Sequence, residues 1–131
     1  MFCKNEKNRS LHFAESVAEA RQFFLGLPIN ENLFKIVSVG CERCLPGYLV
    51  DRKALNFSVV ELVVEGEGRV VLDGVGYSLS PGSLFFYQGG EPHRIENYNC
   101  KPMLKYFIAF SGTDSSLFKS DFFSVQSGSI R

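Results

Sequence analysis

The side chains in this sequence that could do chemistry sit in short runs of alternating apolar residues. Glu61 stands among Val59, Val60, Leu62 and Val63, and Lys105 follows Leu104 in a similar run to Phe110. A charge in such a run must face a lumen, an ion pair or solvent, because an unpaired buried charge is costly. Strand periodicity puts Lys105, Phe107 and Ala109 on one face. A Glu61–Lys105 pair across the interior of a barrel would make a polar floor for a ligand. Two solvated charges on an outer face are the competing arrangement. Arg52 carries a planar fork of donors that suits a pair of sugar hydroxyls or a carboxylate, or it forms a surface salt bridge with Asp51 or Glu61. His93 could donate to a small ligand or hydrogen-bond locally. Tyr87 and Phe107, with Phe85, could stack on a ligand ring, although aromatics at alternating positions also simply fill a core. Arg52, Glu61, Tyr87, His93, Lys105 and Phe107 are therefore the candidates for binding a small polar molecule, and no catalytic set is identified.

Metal and thiol chemistry find less support. The chain has 2 His, and His12 falls in a polar N-terminal stretch. A stable transition-metal site wants three or four suitable protein ligands. Cys41 and Cys44 have zinc-knuckle spacing, but no second pair follows, and Cys3 and Cys100 are isolated. A redox pair of this spacing opens a helix in a βαβ setting, whereas Cys41 to Pro46 reads as a connector between strands. Small residues in a connector are the expectation, with a redox-sensing pair or a stray zinc ligand as the alternatives. No metal and no cofactor are expected.

Positioning these residues falls to short strands. From Leu33 the period is two: runs at 33–39, 48–52, 58–65, 69–72, 77–79, 84–87, 93–96 and 104–110 are separated by Gly, Pro and Asn turns. That spacing indicates a sandwich or barrel. Asp73-Gly74 is the strongest hairpin signal. Before the strands, Val17, Ala20, Phe24 and Leu27 fall near one helical face, and Gly26-Leu27-Pro28 is a stop signal, so a short helix is expected at 14–25. It would cover an open end of the barrel or form a contact surface. Residues 1–12 read as a mobile segment. Phe118, Phe122 and Phe123 make 113–131 too apolar for a free tail, so it should pack on the barrel or on a partner.

Composition narrows the function. The 131 residues suit one domain, and 14 basic residues balance 14 acidic ones. A domain that binds nucleic acid unaided usually carries a basic excess, so direct binding of DNA is not expected. No secretory signal is visible at the N-terminus. The longest apolar stretch, Val59 to Val64, is broken by Glu61, which argues against a transmembrane helix. Reduced thiols in a cytoplasmic protein are the expectation.

Gly82-x5-Gln88-x-Gly90-x2-His93-x3-Asn97 resembles the second cupin motif, with Gln88 in place of its Pro, and Glu67-x6-Gly74 matches the tail of the first. More specifically, the chain resembles the sensor barrels of AraC-type transcription regulators. The matching runs are Pro46-Gly47-Tyr48-x3-Arg52, Glu61-Leu62-Val63-Val64-x-Gly66-x-Gly68, Leu79-Ser80-Pro81-Gly82, Pro92-His93 and Phe107-Ile108-Ala109-Phe110-Ser111-Gly112. They cover about residues 33–112. The resemblance implies an all-β, cupin-like double-stranded β-helix, or jelly-roll barrel, preceded here by the short helix. It implies a barrel that binds a small effector, often a sugar, and mediates a homodimer, with Arg52 able to point at the ligand. DNA would be bound by a separate C-terminal domain with two helix-turn-helix motifs. That domain would need roughly 100 further residues, so the sequence is expected to be a fragment. Enzymatic cupins bind a divalent metal through His-x-His and Glu of the first motif and His of the second. Here the His-x-His positions fall at about Val59 to Val63 and hold no His, leaving Glu67 and His93, with Glu61 as a further candidate. The expected function is an effector-binding and dimerisation domain. The alternatives are a small metal-dependent cupin enzyme, of sugar isomerase or dioxygenase type, and a stand-alone interaction protein.

Overall fold

The computed structural model describes residues 17–27, 30, 33–53, 55–97 and 99–112. Within them run the strands β1 (Val17–Phe24), β2 (Lys35–Cys44), β3 (Tyr48–Arg52), β4 (Ser58–Glu65), β5 (Gly68–Leu72), β6 (Val75–Leu79), β7 (Leu84–Tyr87), β8 (His93–Asn97) and β9 (Met103–Ser111). They form two antiparallel sheets, one in the order β1-β2-β9-β4-β7 and the other β3-β8-β5-β6. Strands that neighbour one another, such as β2 and β9 or β3 and β8, are far apart in sequence. The chain therefore crosses repeatedly between the sheets, as a jelly roll does.

Alternation decides which face is inside. In β9, Met103, Lys105, Phe107 and Ala109 are buried, while Tyr106 and Ile108 are exposed. In β3 and β8, Tyr48, Val50, Ile95 and Asn97 point inward. The core joins the two inner faces, Tyr48, Val50, Val70 and Ile95 of one sheet packing with Val59, Val63, Phe85 and Phe107 of the other. Each fully buried side chain of this size contributes about 1.5–3 kcal/mol of transfer free energy.

The β5–β6 hairpin turns at Asp73-Gly74, whose φ values of +49° and +78° are both left-handed. Two consecutive left-handed residues match the right-handed twist of the flanking strands, which is why Asp-Gly is favoured there. Asn97, the last residue of the second motif, is a structural tie. Its Nδ2 donates to the carbonyls of Cys44 (3.2 Å) and Lys101 (2.9 Å), and its Oδ1 accepts from the Asn99 amide (3.0 Å).

Three expectations are corrected. The helix at 14–25 is not formed over its described part: Val17–Phe24 is β1, paired antiparallel to β2. The free edge of β2 supplies hydrogen-bonding partners along its whole length, and that tertiary pairing overrides a weak helical pattern. The connector at Cys41–Pro46 is also wrong in its first half, because β2 continues through Cys44. Cys41 and Cys44 carry free thiols, but Cys100 is disulfide-bonded, so the reading of all cysteines as reduced does not hold. The segments 1–12 and 113–131 lie outside the described residues.

A strand through Cys41 and Cys44 separates the two thiols. Three residues apart, they sit on opposite faces of β2, with Cys44 buried and Cys41 partly exposed. Burial pushes the Cys44 thiol far above its ordinary value. A maleimide reagent is expected to label Cys41 in the native domain and to reach Cys44 only after unfolding. Peptide mapping by mass spectrometry checks this, and equal native labelling of both would contradict it.

Candidate functional site

Between the two sheets lies a cavity of about 230 Å³ that opens to solvent. Its wall is mostly apolar, with Val37, Val59, Ile95, Phe107 and Ala109 among the lining residues. Of the other lining residues, Phe24 is exposed, and Gln22, Arg52, Leu55 and Phe57 are partly so. Gln22 is held by a hydrogen bond from its Nε2 to Ser38 Oγ (2.9 Å).

The polar floor is built by strand register. Glu42 of β2 stands directly opposite Lys105 of β9, and Glu61 of β4 lies diagonal to it, since Glu61 pairs with Phe107 and Val63 with Lys105. All three side chains are about 2% exposed. Lys105 Nζ donates to Glu42 Oε1 at 2.7 Å and to Glu61 Oε1 at 2.5 Å. Tyr87 Oη donates to Glu61 Oε2 at 2.6 Å, and Tyr48 Oη to Glu42 Oε1 at 3.4 Å. The ammonium also sits 5.5 Å from the centre of the Tyr48 ring and 6.0 Å from that of Phe107, within cation–π reach. Burial alone would lower the Lys105 pKa, but Glu61, Tyr48 and Glu42 outweigh it and hold the group well above its ordinary value. Burial likewise raises both phenols, so they remain protonated donors. The arrangement of two solvated charges on an outer face is thereby set aside.

Phe107 reaches its place because its cross-strand partner is Gly40. A Cβ at Gly40 would lie 2.8 Å from the tip of the Phe107 ring and would strike the Arg21 carbonyl, so only glycine leaves this room.

Residues 35–121 match the profile of the AraC-like ligand-binding domain. The chain belongs to this family. No curated protein matches it. Solved structures similar to the AraC-like domain include cupins. A Cupin 2 conserved barrel domain protein from Salinispora arenicola has 13% identity and a TM-score of 0.58, covering 92% of this chain and 90% of that one. The Cupin 2 domain of an XRE family transcriptional regulator from Enterobacter cloacae has 20% identity and a TM-score of 0.52, over 69% and 94% of the two chains. A predicted oxalate decarboxylase from Thermotoga maritima has 22% identity and a TM-score of 0.55, over 59% and 68%. These likenesses establish the fold, an all-β cupin jelly roll.

The AraC-like domain brings five of its six candidate residues, Arg52, Glu61, Tyr87, Lys105 and Phe107, to the cavity wall. His93 stands behind it. Its ring stacks on Tyr87 with centroids 3.9 Å apart, and it is buried. Its Nδ1 lies 3.1 Å from the Glu91 carbonyl and its Nε2 3.4 Å from Arg52 Nη1. A carbonyl only accepts and a guanidinium only donates, so Nδ1 carries the proton and Nε2 is bare. Asp51, offered as a salt-bridge partner for Arg52, instead pairs with Arg94 at 3.5 Å.

The cupin metal does not fit these residues. The positions expected for imidazoles on β4 hold Val59, Glu61 and Val63. The His93 lone pair that a cation would need faces the Arg52 guanidinium. Glu67 is exposed and precedes β5, at the opposite end of that strand from Leu72, the register partner of His93. Among the described residues no group of three or more His, Cys, Asp or Glu is placed to hold a metal ion.

Neutral His93 has a consequence for stability. Burial lowers its pKa, the Glu91 carbonyl works the other way, and the charge of Arg52 adds to the lowering. The unfolded chain takes up a proton near pH 6.5, which the folded domain resists until a lower pH. Its contribution to stability is therefore complete above about pH 6.5 and is lost as pH falls through the folded value. Urea midpoints measured from neutral pH down to about pH 5 should fall, and the decline should be shallower in His93→Gln. Identical slopes in both proteins would contradict the assignment.

Two floor residues, Glu42 and Tyr48, escaped the sequence reading. Glu42 was hidden in the stretch read as connector. The signal that finds it is the continued alternation Ser38, Gly40, Glu42, Cys44, which puts a carboxylate on the inner face opposite Lys105.

Proposed function

We propose that this domain is the effector-binding and dimerisation module of an AraC-family transcription regulator, and that its effector is a sugar or a related polar metabolite held between the sheets. The observation that carries the reading is the buried Glu42–Lys105–Glu61 cluster at the floor of an otherwise apolar cavity. Small-ligand sites have this composition, apolar walls with a few converging polar groups that fix orientation. Lys105, Glu61 and Arg52 supply those groups, while Phe107 and Tyr87 offer ring surface to the apolar face of a ligand. On this reading the domain is not an enzyme. It works in the cytoplasm, and DNA is contacted through a separate helix-turn-helix domain of the regulator. Among the described residues no helix is long and apolar enough to cross a membrane. The effector acts by binding one of two states of the regulator more tightly than the other.

A homodimer belongs to the same reading. Tyr106, Ile108 and Leu62 form a partly exposed apolar ladder on the outer face of the larger sheet, where a second copy can cover them. Sedimentation velocity measures the oligomeric state.

Calorimetric titration with neutral sugars and sugar acids tests the effector. Saturable heat with one ligand per chain is expected. Silence across all of them would reduce the cavity to a packing defect and the domain to a dimerisation unit.

A further inference from the structure

The outer faces of the two sheets differ in character. On the smaller sheet that face is charged: Arg94 pairs with Asp51 at 3.5 Å and with Glu96 at 3.4 Å. On the larger sheet, register sets Phe23, Val39, Ile108, Val60 and Phe86 in one apolar row across all five strands. Contiguous apolar surface of this width marks a face that something covers.

Burial along β9 locates the cover. Tyr106 and Ile108 on its outer face are 49% and 42% exposed, whereas Phe110, the next outward residue, is 2% exposed. Phe110 stacks on Phe86 with ring centroids 6.0 Å apart, and the two make a second buried cluster, separate from the core between the sheets. Val60 and Leu84 pack against it. Val60, Leu84 and Phe86 lie beside Phe110 in the same sheet. Side chains stand roughly perpendicular to a sheet, so neighbours in the sheet flank a ring without covering its outer end. Phe34 lies 5.2 Å away and is itself exposed.

We infer that the cover is the chain's own C-terminal segment: residues 113–131 dock on the outer face of the larger sheet, over Phe110 and Phe86, with Phe118 as an anchor. Phe110 is buried within a single chain, so a second copy does not supply the cover. The residues before β1 enter at Val17, opposite Cys44, which pairs with Met103 at the end of β9 far from Phe110. The β1–β2 connection reaches the covered end, but its Leu25, Leu27 and Leu33 are exposed, unlike residues packed on an apolar face. Residues 113–131 follow directly on Ser111 and Gly112, at the covered end, and carry Leu117, Phe118, Phe122, Phe123 and Val125. Their reach is sufficient. The strand of Phe86 lies two strands from β9, or about 10 Å. The chain from Gly112 to Phe118 can span up to about 20 Å.

The chain contains no Trp, so Phe118→Trp places a single fluorophore in the segment. In the folded chain its emission is expected at shorter wavelength, and its quenching by acrylamide weaker, than in the same chain in urea. Both should persist on dilution to concentrations where sedimentation velocity finds a monomer. A second substitution tests the place. Ile36 is the register partner of Phe110 and is exposed, so the fold should tolerate Ile36→Glu while the charge sits at the docking surface. In that background the Trp should be quenched as it is in urea. Leu49→Glu, on the outer face of the smaller sheet, should leave it protected. Circular dichroism and urea midpoints verify folding, and Leu84→Glu replaces Ile36→Glu should the latter not fold. A Trp quenched in the folded chain as fully as in urea would overturn the inference. So would protection that survives in the folded outer-face variant. Protection lost on dilution would assign the cover to a second copy instead.

Discussion

Lys105→Met is expected to lose about 3–5 kcal/mol of stability at neutral pH, the loss typical of breaking a buried ion pair from one side. The side chain removed is 2% exposed and stands between two carboxylates that are equally buried. Its Nζ lies 2.7 Å from Glu42 and 2.5 Å from Glu61. Methionine fills nearly the same volume, so packing changes little and the loss isolates the charge. Without the ammonium, two carboxylates face each other in a site from which water is excluded. Urea unfolding reads the difference directly. The triple variant Glu42→Gln, Glu61→Gln, Lys105→Met is expected to recover most of the loss, since it removes every charge while the amide oxygens still accept from Tyr48 and Tyr87. A deficit under about 1 kcal/mol in the single variant would mean that these groups are solvated, as exposed pairs are.

Ala109→Phe is expected to abolish effector binding while the domain stays folded. Ala109 is buried on the inner face of β9 and lines the cavity beside Phe107. A phenyl ring there occupies much of the space that a ligand needs. Overpacking should cost about 1–3 kcal/mol. The neighbouring residue is the control. Ile108 is 42% exposed on the outer face, and a shift of one residue along a strand moves a side chain from one face to the other. Ile108→Phe should therefore bind as the unmodified domain does. Calorimetry with any neutral sugar that binds, run beside urea unfolding, separates the two effects. Equal affinity in both variants would place the ligand outside the barrel.

Much of this site was legible in the sequence because strand parity is a strict rule. Glu61 and Lys105 were placed in strands, and the lumen pairing proposed for them as one arrangement is the one found. The turn at Asp73-Gly74 and the bounds of β3, β4 and β7 followed from turn chemistry and alternation alone. Glu42 was missed for a physical reason. Gly40 and Glu42 have weak strand preferences taken alone, and β2 is held there by its neighbours β1 and β9. β1 was missed for the same reason in reverse. Its spacing suits a helical face, and the open edge of β2 decides the outcome. The role of Gly40 is visible only once Phe107 is known to lie across from it.

In the function proposed above, a small molecule enters between the sheets and meets the Glu42–Lys105–Glu61 floor. Nuclear magnetic resonance tests it most directly, through the side-chain signals of these three residues during titration with neutral monosaccharides and alditols. Saturable shifts are expected at Lys105 Nζ, at the Glu42 and Glu61 carboxyl carbons and in the Phe107 ring, with Tyr106 and Ile108 unmoved. Shifts confined to the outer face, or a floor that stays silent while a ligand saturates, would contradict it.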